Sequence, residues 1–66
     1  MRVTYDAAAD AVYFRLADDG IVNSDRIRPG VILDFDAGGR VVGVEILGVK
    51  QRVPESMLTH VDFQVA

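Results

Sequence analysis

The segment from residue 31 to residue 47 most constrains the fold, because apolar and polar residues alternate on both sides of a glycine pair. It reads VILDFD, then AGG, then RVVGVEIL. Alternation with a period of two is typical of a half-buried β-strand, and a glycine pair between two such runs predicts a β-hairpin. With the glycine pair as the loop, every facing pair is apolar: Phe35 with Val42, Leu33 with Val44, and Val31 with Ile46.

A three-residue loop with a glycine bulge is the alternative for this hairpin. Without a compensating bulge, that loop would place Leu33 against Gly43 and Val31 against Glu45. We therefore favour the loop made of Gly38 and Gly39 alone.

The same segment also matches a calcium-binding pattern. Four residues fall on positions 1, 3, 6 and 12 of an EF-hand loop: Asp34, Asp36, Gly39 and Glu45. An EF-hand loop is flanked by helices, whereas both flanks here are strands. In the hairpin register, Glu45 and Asp36 lie roughly 13 Å apart and cannot share one ion. We predict no metal site, and Asp34, Asp36 and Glu45 are the residues to examine if there is one.

Carboxylates on the polar face of this hairpin are also of the type that acid–base catalysis uses. Asp34 and Glu45 are diagonal neighbours at roughly 5 to 8 Å, which suits a carboxylate pair. The alternative is a solvated face with Arg15 and Arg40 as counter-charges, the ordinary setting of carboxylates. No nucleophile stands beside a base, and the single histidine, His60, is isolated. We assign no catalytic residue and no cofactor.

The flanking segments extend the β pattern. Residues 1–5 and 11–17 alternate around DAAAD, and one register makes each facing pair apolar: Tyr5 with Val12, Val3 with Phe14, and Met1 with Leu16. Residues 21–27 predict a polar edge strand, Pro54 begins a short helix over PESMLTH, and VDFQVA alternates again. The sequence predicts one mostly β (α+β) domain over residues 1–66, a small antiparallel meander sheet of about five to six strands with one short C-terminal helix.

Composition sets the class of protein. Of the 66 residues, 50% are hydrophobic and 26% are charged, which is a globular balance. A chain this short buries only about 60% of its unfolded surface, and it has no cysteine, so we expect a homo-oligomer, a dimer. No segment approaches the roughly 20 apolar residues that span a bilayer, and MRVTYD lacks a signal-peptide core. We expect a cytoplasmic protein without membrane contact.

The charge pattern argues against nucleic-acid binding. The net charge is −3, and the basic residues are interleaved with acidic ones. A basic patch would have to assemble from separate segments, from Arg26, Arg28, Lys50 and Arg52. We expect no nucleic-acid partner.

The run VTYDAAADAVYFRL, followed by GVILDFDAGGRVVGVEIL, closely resembles the small prokaryotic family catalogued as domain of unknown function 2283. The resemblance covers residues 1–48, and its matching positions are Tyr5, Asp6, Ala9, Asp10, Tyr13, Leu16, Gly30 to Asp34, Asp36, Gly39, Arg40, Gly43 and Glu45 to Leu47. Gly38 departs from the acidic or amide residue usual before the turn glycine. The resemblance carries no activity. Through relatives encoded beside small toxin-like proteins, it implies an antitoxin-like role with a heterologous protein partner.

The matched residues Asp6 and Asp10 have two interpretations. They could form a carboxylate pair in a cleft, or Asp6 could start a one-turn helical loop that Asp10 ends. We favour the loop, since aspartates commonly flank such connections and accept backbone N–H groups there.

These features favour a non-enzymatic protein-interaction module that self-associates. One face of the predicted sheet is apolar and must be covered: Val3, Tyr5, Val12, Phe14, Leu16, Val31, Leu33, Phe35, Val42, Val44 and Ile46. The chain has little with which to cover it, so we expect a second copy to complete the core, with exchange of the VDFQVA strand as one route. The alternative is a small-molecule or metal-dependent enzyme that uses the carboxylates of Asp34 and Glu45, with Asp6 and Asp10 as further candidates.

Overall fold

The chain folds into a single five-stranded antiparallel sheet in a computed structural model that describes residues 1–66. The strands are β1 (Arg2–Asp6), β2 (Ala11–Arg15), β3 (Asn23–Arg28), β4 (Val31–Phe35) and β5 (Val41–Leu47). Two short 3-10 turns follow, at Val49–Gln51 and at Glu55–Met57. The mostly β prediction is confirmed. None of the helical segments is long and apolar enough to cross a membrane.

The strand order across the sheet is β1-β2-β5-β4-β3. The predicted simple meander is therefore wrong at one step, because β2 pairs with β5 and not with β3. All six residues of β3 are exposed, which suits an edge strand, as predicted for residues 21–27. A meander would have made β3 central and surrounded its polar side chains. The central place goes instead to β5, which contains the buried Val42 and Gly43.

The first hairpin has the predicted register. Val3 lies opposite Phe14, and Tyr5 lies opposite Val12. Their side chains are half-buried, while the alternate residues of β1 are exposed. The alternation of apolar residues was enough to determine this pairing, because a slip by one residue would turn every apolar side chain to the other face.

The central hairpin is confirmed, but its predicted two-residue loop is wrong. The Asp36 N–H donates to the Arg40 carbonyl at 3.0 Å, and the Gly39 N–H donates to the Asp36 carbonyl at 3.0 Å. The loop thus holds three residues, and Gly39 takes the positive φ of 79° that such loops require. A three-residue loop needs a compensating bulge to keep the apolar pairs, and the bulge is present.

The bulge lies where β4 leaves its regular register. Leu33 opposite Val44 is as predicted, but the pairing shifts between Asp34 and Phe35, so that Phe35 lies opposite Val41 and not Val42. The extra residue of the bulge is Val42 of β5, which lies between the partners Gly43 and Val41 and compensates for the third loop residue. The regular part of the hairpin therefore keeps its apolar pairs despite the longer loop.

The predicted C-terminal helix is reduced to the 3-10 turn at Glu55–Met57. Pro54 precedes it as expected, but the bonds are of the i to i+3 type, with the Met57 N–H donating to the Pro54 carbonyl at 2.9 Å. The predicted final strand is absent within this chain, since residues 61–66 have no regular structure. A strand needs a partner edge, and no backbone hydrogen bond joins these residues to the sheet.

The core is thin. The buried hydrophobic residues are Ala11, Val42 and Val49. Val49 belongs to the first 3-10 turn, which lies against the hairpin of β1 and β2, since its N–H donates to the Asp10 carbonyl at 3.2 Å. All five residues of β4 are only half-buried, so the sheet is covered incompletely.

Candidate functional site

A hydrogen-bond network crosses the polar face of the sheet. The Tyr13 hydroxyl donates to Asp34 Oδ2 at 2.6 Å, and the Ser24 hydroxyl donates to Asp34 Oδ1 at 2.6 Å. Tyr13 belongs to β2, Asp34 to β4 and Ser24 to β3. One carboxylate therefore joins three strands through their side chains.

Gly43 makes this network possible. It lies in β5, between β2 and β4, directly opposite Asp34. A Cβ at this position would collide with the Tyr13 hydroxyl, and would lie 2.7 Å from Tyr13 Cζ and 3.0 Å from Asp34 Oδ2. A glycine inside a strand often marks such a close approach. The Tyr13 side chain thus passes over bare backbone to reach Asp34.

The network favours a protonated tyrosine. The hydrogen bond to Asp34 raises the pKa of Tyr13 above its ordinary value, partial burial raises it further, and the nearby Arg15 opposes both. A phenol with a raised pKa is a hydrogen-bond donor at neutral pH and not a base. Both oxygens of Asp34 already accept a hydroxyl, so the arrangement holds side chains in place more readily than it transfers protons.

Glu45 lies where the hairpin register predicts, opposite Ile32 of β4 and opposite Tyr13 of β2. It is therefore a diagonal neighbour of Asp34, as expected. The hydrogen-bond partners of Asp34, however, are the two hydroxyls and not a second acid. Sequence reasoning singled out the acidic pair and missed both hydroxyls. The contact of Tyr13 depends on the strand order, whereas Ser24 lies directly opposite Asp34 in the pairing of β3 with β4.

Asp36 closes the hairpin loop. It is only 5% exposed, its Oδ1 accepts the backbone N–H groups of Gly38 and Arg40 at 2.9 Å each, and its Oδ2 accepts Arg40 Nε at 3.0 Å. These donors, led by the Arg40 backbone N–H, hold the pKa of Asp36 below its ordinary value despite the opposing effect of burial. The predicted turn role of Asp36 is confirmed.

The three metal candidates Asp34, Asp36 and Glu45 do not form a ligand cluster. Nowhere in the chain do three or more acidic or histidine side chains come together in a way that could hold a metal ion. Asp34 binds hydroxyls, whereas Asp36 binds the N–H groups of its own loop.

Asp6 begins the loop between β1 and β2. Its Oδ1 accepts the N–H groups of Ala8 at 3.0 Å and Ala9 at 3.3 Å. These are the bonds of an aspartate that starts a tight turn. Asp10 ends the loop with a φ of 51°, in the left-handed region. The loop interpretation of this pair is confirmed.

Asp10 has a second role that the sequence did not show. Its Oδ1 accepts the Tyr5 hydroxyl at 2.9 Å and the Lys50 N–H at 3.2 Å. The Tyr5 phenol has a raised pKa, first because it is partly desolvated and next because it donates to Asp10. Asp10 thus fastens the first 3-10 turn to the loop between β1 and β2. Forty residues separate Asp10 from Lys50, so no local pattern could have revealed the contact.

The residues that make these contacts lie in the part of the chain that matches a known protein family. A family model described as a protein of unknown function, DUF2283, matches residues 2–50. The chain belongs to the DUF2283 family. The matched region contains Tyr13, Asp34 and Gly43 of the network, and it ends at Lys50, the residue that Asp10 fastens. Searches of curated proteins and of solved structures found no significant match.

An apolar cleft lies between the DUF2283 sheet and the C-terminal segment. Its volume is about 480 Å³, within the usual range of ligand sites. The sheet contributes five side chains to it: Val3, Tyr5, Val12, Phe14 and Ile46. Ten of the thirteen lining residues are hydrophobic. The C-terminal segment therefore covers part of the apolar face and leaves a gap beneath it.

Beyond the DUF2283 match, the end of the chain is apolar and exposed. The exposed fractions are 64% for Val61, 70% for Phe63 and 89% for Val65. These residues alternate with Asp62 and Gln64, which is the pattern of a strand with one apolar face. The segment has the residue pattern of a strand and lacks a strand partner.

Proposed function

We propose that this chain is a non-enzymatic protein-interaction module that self-associates through its apolar sheet face. The observation that carries the proposal is the mismatch between composition and burial. Half of the residues are hydrophobic, yet three of them form the buried hydrophobic core and ten large ones are exposed. On the apolar sheet face itself, Val3, Phe14 and Leu33 are only half-buried, and a contiguous apolar face left partly uncovered typically marks a contact surface.

The shape of the chain supports the same proposal. All five strands lie in one sheet, whereas stable domains are usually built from two packed layers. The Cα radius of gyration is 12.7 Å, larger than the about 11 Å expected for a compact chain of this length. There is no disulfide to compensate. A second copy would supply the missing layer.

The polar face supports a non-enzymatic role. Both oxygens of Asp34 accept hydroxyl groups, and Asp36 is engaged by its own loop. The enzymatic alternative would use Asp34 and Glu45, and the support for it is their diagonal placement on β4 and β5. In the antitoxin-like form of our proposal, a small toxin would take the place of the second copy on the apolar face.

Light scattering after size-exclusion chromatography tests the proposal on the full chain over a range of concentrations. We expect a mass twice the 7.2 kDa of one chain. Glu45→Gln is the control, because Glu45 lies on the polar face outside the hydrogen bonds of Asp34, so its substitution should leave the mass unchanged. A folded monomer at every concentration would contradict self-association.

A further inference from the structure

We propose that two copies exchange their C-terminal segments, so that residues 61–65 of each copy pair as an antiparallel strand with β1 of the other. The exchange rests on the proposed self-association and adds strand pairing at one sheet edge to the packing of the two apolar faces. It enlarges the five-stranded sheet of each copy by one strand.

The outer edge of β1 is open. β1 pairs only with β2, and the direction of its backbone groups follows from one bond. The Leu16 N–H donates to the Val42 carbonyl at 2.8 Å. The backbone N–H and C=O groups of even-numbered residues in β2 therefore point toward β5. Because the direction of these backbone groups alternates along an antiparallel strand, the N–H and C=O groups of the odd-numbered residues of β2 point toward β1. It follows that Val3 and Tyr5 direct their N–H and C=O groups outward, free to bind another strand.

The C-terminal segment also has unpaired backbone groups. Its last backbone hydrogen bond is the one from the His60 N–H to the Met57 carbonyl at 3.2 Å. After it, residues 61–66 make none, although Val61, Phe63 and Val65 alternate along the segment as a strand requires. Edge addition would satisfy both sets of backbone groups at once.

One antiparallel register between residues 61–65 and β1 places apolar residues opposite apolar ones and polar residues opposite polar ones. On the apolar face the facing pairs are Tyr5 with Val61, Val3 with Phe63, and Met1 with Val65, and on the polar face they are Thr4 with Asp62 and Arg2 with Gln64. A slip by one residue would turn Phe63 to the polar face.

Charge distinguishes among the registers that keep the apolar side chains of the segment on the apolar face of the sheet. In the register given above, Asp62 lies opposite Thr4 and diagonally from Arg2, an opposite charge. The register two residues away that brings Asp62 toward the end of β1 would place it directly opposite Asp6, and like charges facing each other are destabilising. The register shifted the other way would align only two apolar pairs.

The partner strand comes from a second copy because of where the segment lies in its own chain. Val61 lines the cleft together with the side chains of Val3 and Tyr5, so it lies on the apolar side of its own sheet. A paired strand lies beside its neighbour in the plane of the sheet, at about 4.8 Å. Reciprocal exchange gives a closed two-fold dimer in which both free β1 edges are used.

Disulfide trapping tests the exchange, since the chain has no native cysteine. Thr4→Cys and Asp62→Cys are made in separate full-length chains, one of them isotopically labelled, and the two are mixed and oxidised gently. In the proposed register these positions form a non-hydrogen-bonded pair with Cα atoms about 4.5 Å apart, within the about 4.4 to 6.8 Å that a disulfide needs. We expect a mixed disulfide that mass spectrometry identifies as joining positions 4 and 62.

The matched control pairs Asp62→Cys with Arg26→Cys, which lies on β3 at the opposite edge of the sheet. The mixed disulfide with position 4 should exceed the one with position 26 several-fold. A dimer without this excess would overturn the exchange and leave self-association standing, whereas a monomer would overturn both. A disulfide that closes within one chain of the double variant Thr4→Cys with Asp62→Cys, without a mixed dimer, would also overturn the exchange.

Discussion

Tyr13 and Asp34 are hydrogen-bonded across an intervening strand, with 2.6 Å between the Tyr13 hydroxyl and Asp34 Oδ2 although β5 lies between β2 and β4. The contact depends on Gly43, whose missing side chain leaves room for the phenol. The polar face of the sheet is therefore organised by one glycine and one carboxylate.

We expect Gly43→Ala to destabilise the chain, because the new Cβ would collide with the Tyr13 hydroxyl and approach Cζ to 2.7 Å. Overpacking of this kind costs about 1 to 3 kcal/mol. Urea denaturation followed by circular dichroism measures the loss. Gly20→Ala is the control, since nothing lies within 4 Å of a Cβ placed there.

A double-mutant cycle identifies the cause of that loss. In a Tyr13→Val background the obstructing phenol is gone, so Gly43→Ala should cost much less than in the natural chain. An equal cost in both backgrounds would show that the loss comes from the backbone of β5 and not from the tyrosine.

We expect Tyr13 to titrate above its ordinary pKa of 10.0, because its hydroxyl donates a hydrogen bond to Asp34. A pKa that is raised in the folded state contributes stability that is fully present below the unfolded pKa, and this stability is lost as pH rises through the folded pKa. Alkaline pH should therefore weaken the fold. Absorbance titration can follow the change, since Tyr5 and Tyr13 are the only tyrosines.

Two variants assign that titration. Asp34→Asn should move the pKa of Tyr13 down toward its ordinary value, and Tyr13→Phe should leave the Tyr5 transition alone. If Asp34→Asn left both tyrosine transitions unchanged, the hydrogen bond would not be the cause of the shift.

The sequence was sufficient for the features that depend on neighbouring residues. The period of two predicted both hairpins and the pairing of Val3 with Phe14, and the preference of aspartate for tight turns predicted the loop that begins at Asp6. It failed where two solutions differ by one compensating feature, since the bulge beside Phe35 allows the three-residue loop that regular pairing disfavours. Local patterns constrain register strongly only while the ladder stays regular.

The contacts between distant segments could not be predicted from the sequence. The bond from Tyr13 to Asp34 requires knowing that β5 lies between their strands, and the bond from Lys50 to Asp10 joins residues 40 positions apart. Pairing of β2 with β5 depends on which strands need burial on both sides. The exposed β3 and the glycine of β5 explain that order once it is seen, although alternation within each strand fits either order.

We expect Asp36→Asn to remove a source of stability that depends on pH. Asp36 has a lowered pKa, so its contribution is present above the unfolded value of 3.8 and is lost as pH falls through the lower folded value. The variant should melt at a lower temperature than the natural chain near neutral pH, and the difference should shrink on acidification. Asp25→Asn, on the exposed β3, is the control. A difference that stayed constant with pH would contradict this account.

Asp10→Gly should release the first 3-10 turn without disturbing the loop backbone. Asp10 has a φ of 51°, which glycine adopts without strain, so the substitution removes the carboxylate that accepts the Tyr5 hydroxyl and the Lys50 N–H. The Lys50 N–H would lose its partner at 3.2 Å, whereas the Val49 N–H would keep the carbonyl of residue 10. Amide hydrogen exchange followed by NMR should then be faster at Lys50 than in the natural chain. Asp6→Gly, which removes only the bonds to Ala8 and Ala9, should leave Lys50 exchange unchanged, and equal exchange at Lys50 in all three proteins would show that Asp10 does not hold the turn.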